Sequence, residues 1–359
     1  MTAAAFAGRR VLVTGHTGFK GAWLAAWLSG AGAKVTGYAH APDTEPNLWS
    51  LLDLTDVQSV TGDLNDRAAL DALIARTDPE FVFHLAAQSL VRRSYRTPVE
   101  TFTTNVIGTV QLLDALRAAP SLRAVVVATS DKAYENVEQV WGYRETDPMG
   151  GHDPYSASKG ATEIATAAMR RSYYAQGAVD RHPASVASAR AGNVIGGGDW
   201  AEDRLVPDIV RGCLGDDGCV HLRQPNAIRP WQHVLEPLRG YMMLAQALDR
   251  SEDFARGWNF GPDRDDERPV IDVANALVAA LGQGRIELAP DAEALHEAKM
   301  LRLDVSRART ELAWRPIMTF NETLRLTADW YAGWAKGQSA TDLCRTQIAT
   351  YEAMTKGQL

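Results

Sequence analysis

Alternating strand and helix patterns over the first half of the chain, a glycine-spaced turn after the first strand, and a change of rhythm near Gly192 predict an α/β fold. The expected architecture is a doubly wound parallel sheet with a smaller C-terminal lobe. At 359 residues the chain can bury a large core, and it fits one large domain or two lobes sharing a site.

Residues 10–14 (R-V-L-V-T) form a short apolar run ended by Gly15, which reads as a buried parallel strand. Residues 21–28 then carry Trp23, Leu24, Trp27 and Leu28 at helical spacing. A second strand is expected over 34–39 and a third within 56–62. A helix over 66–75, a strand over 81–85 and a long helix over 99–118 follow. Residues 124–129 are apolar until their end and make a fifth strand; 155–174 read as a helix and 184–190 as a sixth strand. Beyond that, Gly196-Gly197-Gly198-Asp199 opens a loop, and strands and helices alternate irregularly. Residues 1–191 are therefore expected to form a dinucleotide-binding domain. Residues 192–359 are expected to form mainly a substrate lobe, partly interleaved with the first. The tail from Lys336 is polar with scattered apolar positions and reads as helical.

Composition narrows the partners. Hydrophobic content of 46% and charged content of 23% are ordinary for a globular protein, and the net charge of −7 disfavours nucleic acid or an anionic membrane surface. No apolar run approaches the roughly 20 residues needed to span a bilayer, and the first eight residues carry no cleavable signal. Cys213, Cys219 and Cys344 are odd in number and lack CxxC spacing, which predicts free thiols in a reducing compartment, the cytoplasm by default. The eight histidines are scattered without ligand spacing, so no metal is expected.

Thr14-Gly15-His16-Thr17-Gly18-Phe19-Lys20-Gly21 places glycines at G-x-x-G-x-x-G spacing between a strand and a helix. Such glycines permit a tight turn and close backbone approach to a pyrophosphate, which the free N–H groups of the helix start then bind. His16 and Lys20 lie inside this loop, as candidates to line the nucleotide and to meet the pyrophosphate or the substrate. Asp63, with Leu64, follows the third strand and is a candidate to accept from an adenine amino group. Leu85-Ala86-Ala87 closes the fourth strand with small residues where a cofactor must pass near backbone. The second strand ends in Tyr38-Ala39-His40, without the acid that often meets ribose hydroxyls and without an arginine cluster for a 2′-phosphate. NAD and NADP are not separated by this motif.

Downstream, Tyr155 and Lys159 stand four apart on one helix face, a base whose phenol pKa the ammonium is expected to lower. Ser130, at the end of the fifth strand, completes a site that handles a hydroxyl. Asp131 and Lys132 add two titratable groups at the same place. An alcohol dehydrogenase needs only the first set, so this pair suggests removal of water as well as hydride. The plainer reading of Asp131-Lys132 is a solvated turn after a strand.

This combination resembles the extended short-chain dehydrogenase/reductase family, over roughly residues 9–334, and gives the expected sheet its Rossmann-type identity. The glycine loop, Thr129-Ser130-Asp131-Lys132-Ala133-Tyr134-Glu135-Asn136 and the run Ala191 to Trp200 (A-G-N-V-I-G-G-G-D-W) are similar to the CDP-glucose branch of its nucleotide-sugar 4,6-dehydratases. Better-known dTDP-glucose relatives carry Thr-Asp-Glu where this chain has Ser130-Asp131-Lys132. The resemblance implies NAD as cofactor, CDP-glucose as substrate, a homodimer, and a place in deoxysugar biosynthesis of the kind that supplies lipopolysaccharide O-antigen. Tyr155 would take the C4 hydroxyl proton, with Lys159 holding the phenol ionisable and binding the nicotinamide ribose. Ser130 would bond the C4 oxygen, and a protonated Asp131 would donate to the departing C6 hydroxyl. Lys132 stands where the relatives have a carboxylate base. At an ordinary lysine pKa of about 10.4 it would instead stabilise an enolate or orient a water, unless its surroundings lower that value.

For the sugar diphosphate, Arg229 in Ile228-Arg229-Pro230-Trp231 looks like the family's arginine strand, and Arg204 matches a family cation. Asn193, Ser89 and Arg93 are candidates to meet the phosphate or hexose. Two other readings remain open at this point: a 4-epimerase or reductase on the same fold, which has no use for Asp131-Lys132, and a non-catalytic cofactor sensor, which has no use for the Tyr155 base.

Overall fold

Seven parallel strands form the central sheet of the computed structural model, which describes residues 2–178, 180–263, 267–288 and 300–356. They are β1 (Arg10–Thr14), β2 (Lys34–Ala39), β3 (Gln58–Thr61), β4 (Phe81–His84), β5 (Ala124–Ala128), β6 (Ser185–Ala191) and β7 (Gly257–Phe260), in the order β7-β6-β5-β4-β1-β2-β3. β1 pairs in parallel with both β2 and β4. The winding reverses there, so a crevice opens beyond the carboxyl ends of β1 and β4.

Successive strand residues alternate between two apolar layers, as the pleat requires. Leu12, Val82, Val125, Val127 and Val186 face Leu70, Leu73, Leu112 and Leu116. Val11, Val13, Phe81, Phe83 and Val126 face Trp23, Leu24, Leu28, Leu238 and Met242. With both faces covered, the strands can be apolar throughout, which is why their sequences show no polar alternation.

Two expected helices differ in form. The single helix expected over 99–118 is a series of pieces: Pro98–Phe102, a wide π-type turn at Thr103–Ile107, Gly108–Ala115, and a tight turn at Leu116–Ala118. A separate helix, Val91–Arg96, precedes it. Pro98 supplies no N–H and disfavours helical backbone at Thr97, which breaks the two apart. The helix expected over 155–174 begins at Pro154, with Asp153 as N-cap accepting from the Ser156 N–H at 2.9 Å, and its last turn widens over Arg170–Tyr174.

β7 and the helix Leu235–Arg250 come from beyond residue 192, yet the strand pairs with β6 and the helix packs beneath β5 and β6. Short strand pairs, Val194–Ile195 with Gln232–His233 and Ile228–Pro230 with Glu267–Pro269, supply other walls of the crevice. The tail forms the helix Ala340–Lys356, docked on the first helix, where Trp27 donates to Glu352 at 2.8 Å. Among the described residues no helix is long and apolar enough to cross a membrane, and all three cysteines are free and buried.

Candidate active site

A cavity of about 1120 Å³ occupies the crevice. Its floor is the glycine turn. Gly15 has φ +74°, and a Cβ there would stand 2.6 Å from the Ala86 nitrogen; a Cβ at Gly21 would stand 2.1 Å from the Gly15 carbonyl oxygen. Only glycine allows this turn to press against the end of β4 and leave backbone open to a ligand. Thr17, Gly18, Phe19, Lys20, Asp63, Leu64, Leu85, Ala86 and Ala87 line the cavity with these two glycines. Thr17 Oγ1 donates to the His40 carbonyl at 3.0 Å, and Asp63 Oδ1 accepts from the Asn65 N–H at 2.9 Å.

His16 does not line this wall. Its ring is fully buried behind the turn, Nε2 lies 2.7 Å from Ser59 Oγ, and the ring meets Trp49 edge-on at 4.5 Å. The missing Cβ of Gly37 opens that space, since a Cβ there would fall 2.2 Å from the His16 ring. Burial takes the imidazole down to about 4, so it is neutral and structural.

Ser130, Asp131, Lys132, Tyr155 and Lys159 come together on one wall. Ser130 caps the short turn Asp131–Ala133 and donates to Asp131 Oδ1 at 3.0 Å; the Lys132 N–H donates to the same oxygen at 2.9 Å. Asp131 Oδ2 has no hydrogen-bond partner among the described residues. Burial raises the Asp131 carboxyl above the usual carboxylate range, against the pull of Lys132, Ser130 and Lys20. The solvated-turn reading of this segment fails on that burial.

The Tyr155–Lys159 pair departs from expectation. Burial pushes the phenol up to about 12, partly offset by a hydrogen bond from Ser130, and Asp131 raises it further. Burial also brings Lys159 down to about 8, with Glu163 favouring the ammonium. Burial thus works against both charged forms, and spacing along a helix does not reveal that cost. Lys20 is also brought to about 8, by burial first and then by Arg204 and Lys159, with Asp131 and Asp199 favouring its charge. The glycine loop therefore sends a lysine toward the wall that holds Asp131 and Lys159.

These features match a known pattern. The model for GDP-mannose 4,6 dehydratase matches residues 12–327. The CDP-glucose 4,6-dehydratase of Salmonella typhimurium is 46% identical over 350 residues, 97% of each chain. The chain belongs to the GDP-mannose 4,6 dehydratase family. A dTDP-glucose 4,6-dehydratase of Xanthomonas campestris is 27% identical, covering 89% of this chain and 92% of its own. DesIV, a dTDP-glucose 4,6-dehydratase from Streptomyces venezuelae solved with NAD and TYD bound, superposes with TM-score 0.75 at 25% identity, covering 90% of this chain and 98% of its own.

Across the cavity of this 4,6-dehydratase family member stand the cations expected for a diphosphate. Arg204 donates to Asp199 at 3.0 Å and to Ser89 Oγ at 2.9 Å, so two predicted residues already touch. Arg93 pairs with Asp43 at 3.1 Å, while Arg229 is largely buried in the wall, with Asn193 nearby on the lining. Arg92 and Arg223 also line the cavity and both approach Asp203, at 3.8 and 3.1 Å. Sequence spacing missed them because the loop that carries Asp203 meets them only in three dimensions. Cys219, His221 and Glu287 bring a thiol, an imidazole and a carboxylate within 4.8 Å at the rim. Arg285 donates to that carboxylate at 3.1 Å and supplies the cluster with a cation of the protein's own.

Proposed function

We propose that this chain is an NAD-dependent CDP-glucose 4,6-dehydratase, a lyase that forms CDP-4-keto-6-deoxyglucose and water. The observation that carries the reading is a buried Asp131, its carboxyl raised above the usual range, beside Ser130, Tyr155 and Lys159, in a chain 46% identical to a CDP-glucose 4,6-dehydratase. NAD fits the glycine turn, whose close packing a Cβ at Gly15 or Gly21 would break, and Asp63 would meet its adenine end and Lys159 its nicotinamide end. Bound there, NAD supplies a hydride acceptor for C4 and a donor of the same hydride to C6.

The residues divide the proton work. Ser130 bonds the C4 oxygen and steadies its charge, and Tyr155 takes the C4 hydroxyl proton. A phenol at about 12 becomes competent as a base only where positive charge beside it, the Lys159 ammonium above all, offsets the burial that holds it neutral. The ketone at C4 acidifies C5–H. Asp131 donates its proton to the C6 hydroxyl, which departs as water. Lys132, half-buried on the wall, and Lys20, partly neutral near pH 8, are the two amines available for the C5 proton or for the charge of the enolate. Arg204 and Arg229, with Arg93, Ser89 and Asn193, hold the diphosphate and sugar.

The reading extends to a cytoplasmic homodimer in deoxysugar synthesis of the O-antigen kind. Val99, Phe102, Ile107 and Ile164 are exposed on the two helical segments expected to meet across a two-fold axis, at 78%, 38%, 49% and 63%. Free, buried cysteines accord with a reducing compartment.

Incubation with CDP-glucose and NAD, followed by NMR and by absorbance, tests the function. A new C6 methyl signal without stoichiometric free NADH is expected. Absence of a methyl group from CDP-, dTDP-, UDP- and GDP-hexoses would remove the dehydratase assignment.

A further inference from the structure

Behind Asp131 lie three polar atoms with no hydrogen-bond partner among the described residues: Asp131 Oδ2, Gln232 Oε1 and the Tyr241 hydroxyl. Their residues are buried, at 3%, 1% and 0% exposure. They share one neighbourhood around the end of β7. Phe260 pairs with Ala191 of β6. Next to Ala191 is Gly192, where a Cβ would stand 2.5 Å from Asp131 Oδ2. The Phe260 carbonyl accepts from Gln232 Nε2 at 3.0 Å, and the Gln232 N–H donates to the Asn193 carbonyl at 3.1 Å. The Phe260 ring lies edge-on to Tyr241, centroids 5.8 Å apart, on the helix packed beneath β5 and β6.

Buried polar atoms ordinarily find partners, so a group of them without one marks a water site or a functional one. The two oxygens of Asp131 are served unequally. Oδ1 has the Ser130 hydroxyl and the Lys132 N–H, whereas Oδ2, beside Gly192, has no hydrogen-bond partner among the described residues. We infer that Tyr241 is a positioning residue for Asp131: its hydroxyl reaches Oδ2 through one water shared with Gln232, and so supports the carboxylate that forms as C6–O breaks.

This rests on the dehydratase reading. In that step the Asp131 O–H bond breaks, its proton joins the departing hydroxyl, and the C6–O electrons leave with the water. The proton removed from C5 closes the balance. A fixed donor aimed at charge that develops in a water-poor site favours that step, and a hydroxyl binds a carboxylate more strongly than a carboxylic acid. The other groups facing Asp131 are Lys132 and Ser130 on its own turn, Lys20 from the glycine loop and Tyr155 from the Pro154–Met169 helix. Burial, with Tyr155 and Asp131, raises the Tyr241 phenol, so it remains a donor throughout the working range.

Tyr241→Phe keeps the ring and removes only the hydroxyl. It and Asp131→Asn are made singly and together, and methyl formation is followed in single turnovers against pH. In the ligand-free protein, the infrared carboxylic-acid band lost in Asp131→Asn is titrated as well. In Tyr241→Phe, kcat falls about 10- to 100-fold with KM unchanged. Its alkaline limb and the Asp131 band both move to higher pH, because the carboxylate has lost a donor. In the Asp131→Asn background the second change costs nothing further. A wild-type rate and limb in Tyr241→Phe, or equal losses in both backgrounds, would overturn the inference. If wild type itself forms no methyl group, the dehydratase reading fails, while the infrared titration still decides the pairing.

Discussion

Two buried carboxyl groups, Asp131 and Glu163, are exposed by only 3% and 5%, yet their surroundings push them in opposite directions. Glu163 receives the hydroxyl of Thr129, the Ser188 hydroxyl at 2.6 Å and the Arg190 guanidinium at 2.8 Å. Arg190 in turn donates to the Tyr134 hydroxyl at 2.5 Å, which donates to Asn259 at 2.8 Å. Those donors hold Glu163 below the usual carboxylate range despite its burial. Among the described residues Asp131 has no arginine partner and one oxygen without a direct hydrogen bond, and it is raised. Burial by itself decides neither case; the count and charge of the donors does. The first arrangement ties the end of β5, the Tyr155 helix and β6 into one frame. The second leaves on that frame, next to Ser130, a carboxyl that holds its proton to higher pH than an ordinary one.

The largest effect expected from this contrast is on turnover. Asp131→Asn removes the acid and should lower kcat for methyl formation about 1000-fold, the scale of general acid catalysis. Its stability should hold or rise slightly at pH 8. A group whose folded pKa is raised contributes stability below its unfolded pKa and loses it as pH rises through the folded value, so neutral pH is where Asp131 stabilises least. A fall in melting temperature at pH 8 would show that the donors around the carboxylate outweigh its burial, against the raised direction on which the contrast rests.

Glu163→Gln should do the reverse. Leaving Arg190 buried without its counter-charge costs about 3–5 kcal/mol, read by denaturant unfolding. Because Glu163 is depressed, its contribution is present above its unfolded pKa, about 4.3, and fades as pH falls through the lower folded value. The gap between wild type and variant should therefore be full at pH 7 and narrow only below about pH 4. A gap that is constant down to acid pH would place the loss in packing instead of charge.

Much of this frame was legible in the chain because it depends on local pattern. The apolar runs of β1, β4 and β5, the glycine spacing and the Ser130 and Tyr155 segments each carry a short-range signal, and the cavity gathers them. The electrostatics were less legible. Tyr155 four residues before Lys159 gives the geometry of a pair, but not the burial that raises one and lowers the other. His16 sits in the right loop and points the wrong way, a consequence of Gly37 on the next strand. Tyr241 and Arg190 carry no motif at all; strand pairing and helix packing from distant parts of the chain bring them beneath the site.

The smallest effect concerns the group that both regions touch. Lys159 stands one helical turn before Glu163, at about 8, with Lys20 and His84 as its other charged or titratable neighbours and Tyr155 on the same face. If its ammonium is needed, kcat/KM for CDP-glucose should fall about tenfold per unit above pH 8, since that profile reports groups of the free enzyme. Glu163→Gln takes away the carboxylate that favours the ammonium, so the limb should move to lower pH. Asp131 acts on Lys20 and is absent from the influences on Lys159, so Asp131→Asn should remove the limb due to Asp131 and leave the Lys159 limb of its residual activity in place. A limb that ignores Glu163, or that follows Asp131, would mean that the frame positions the lysine without setting its charge.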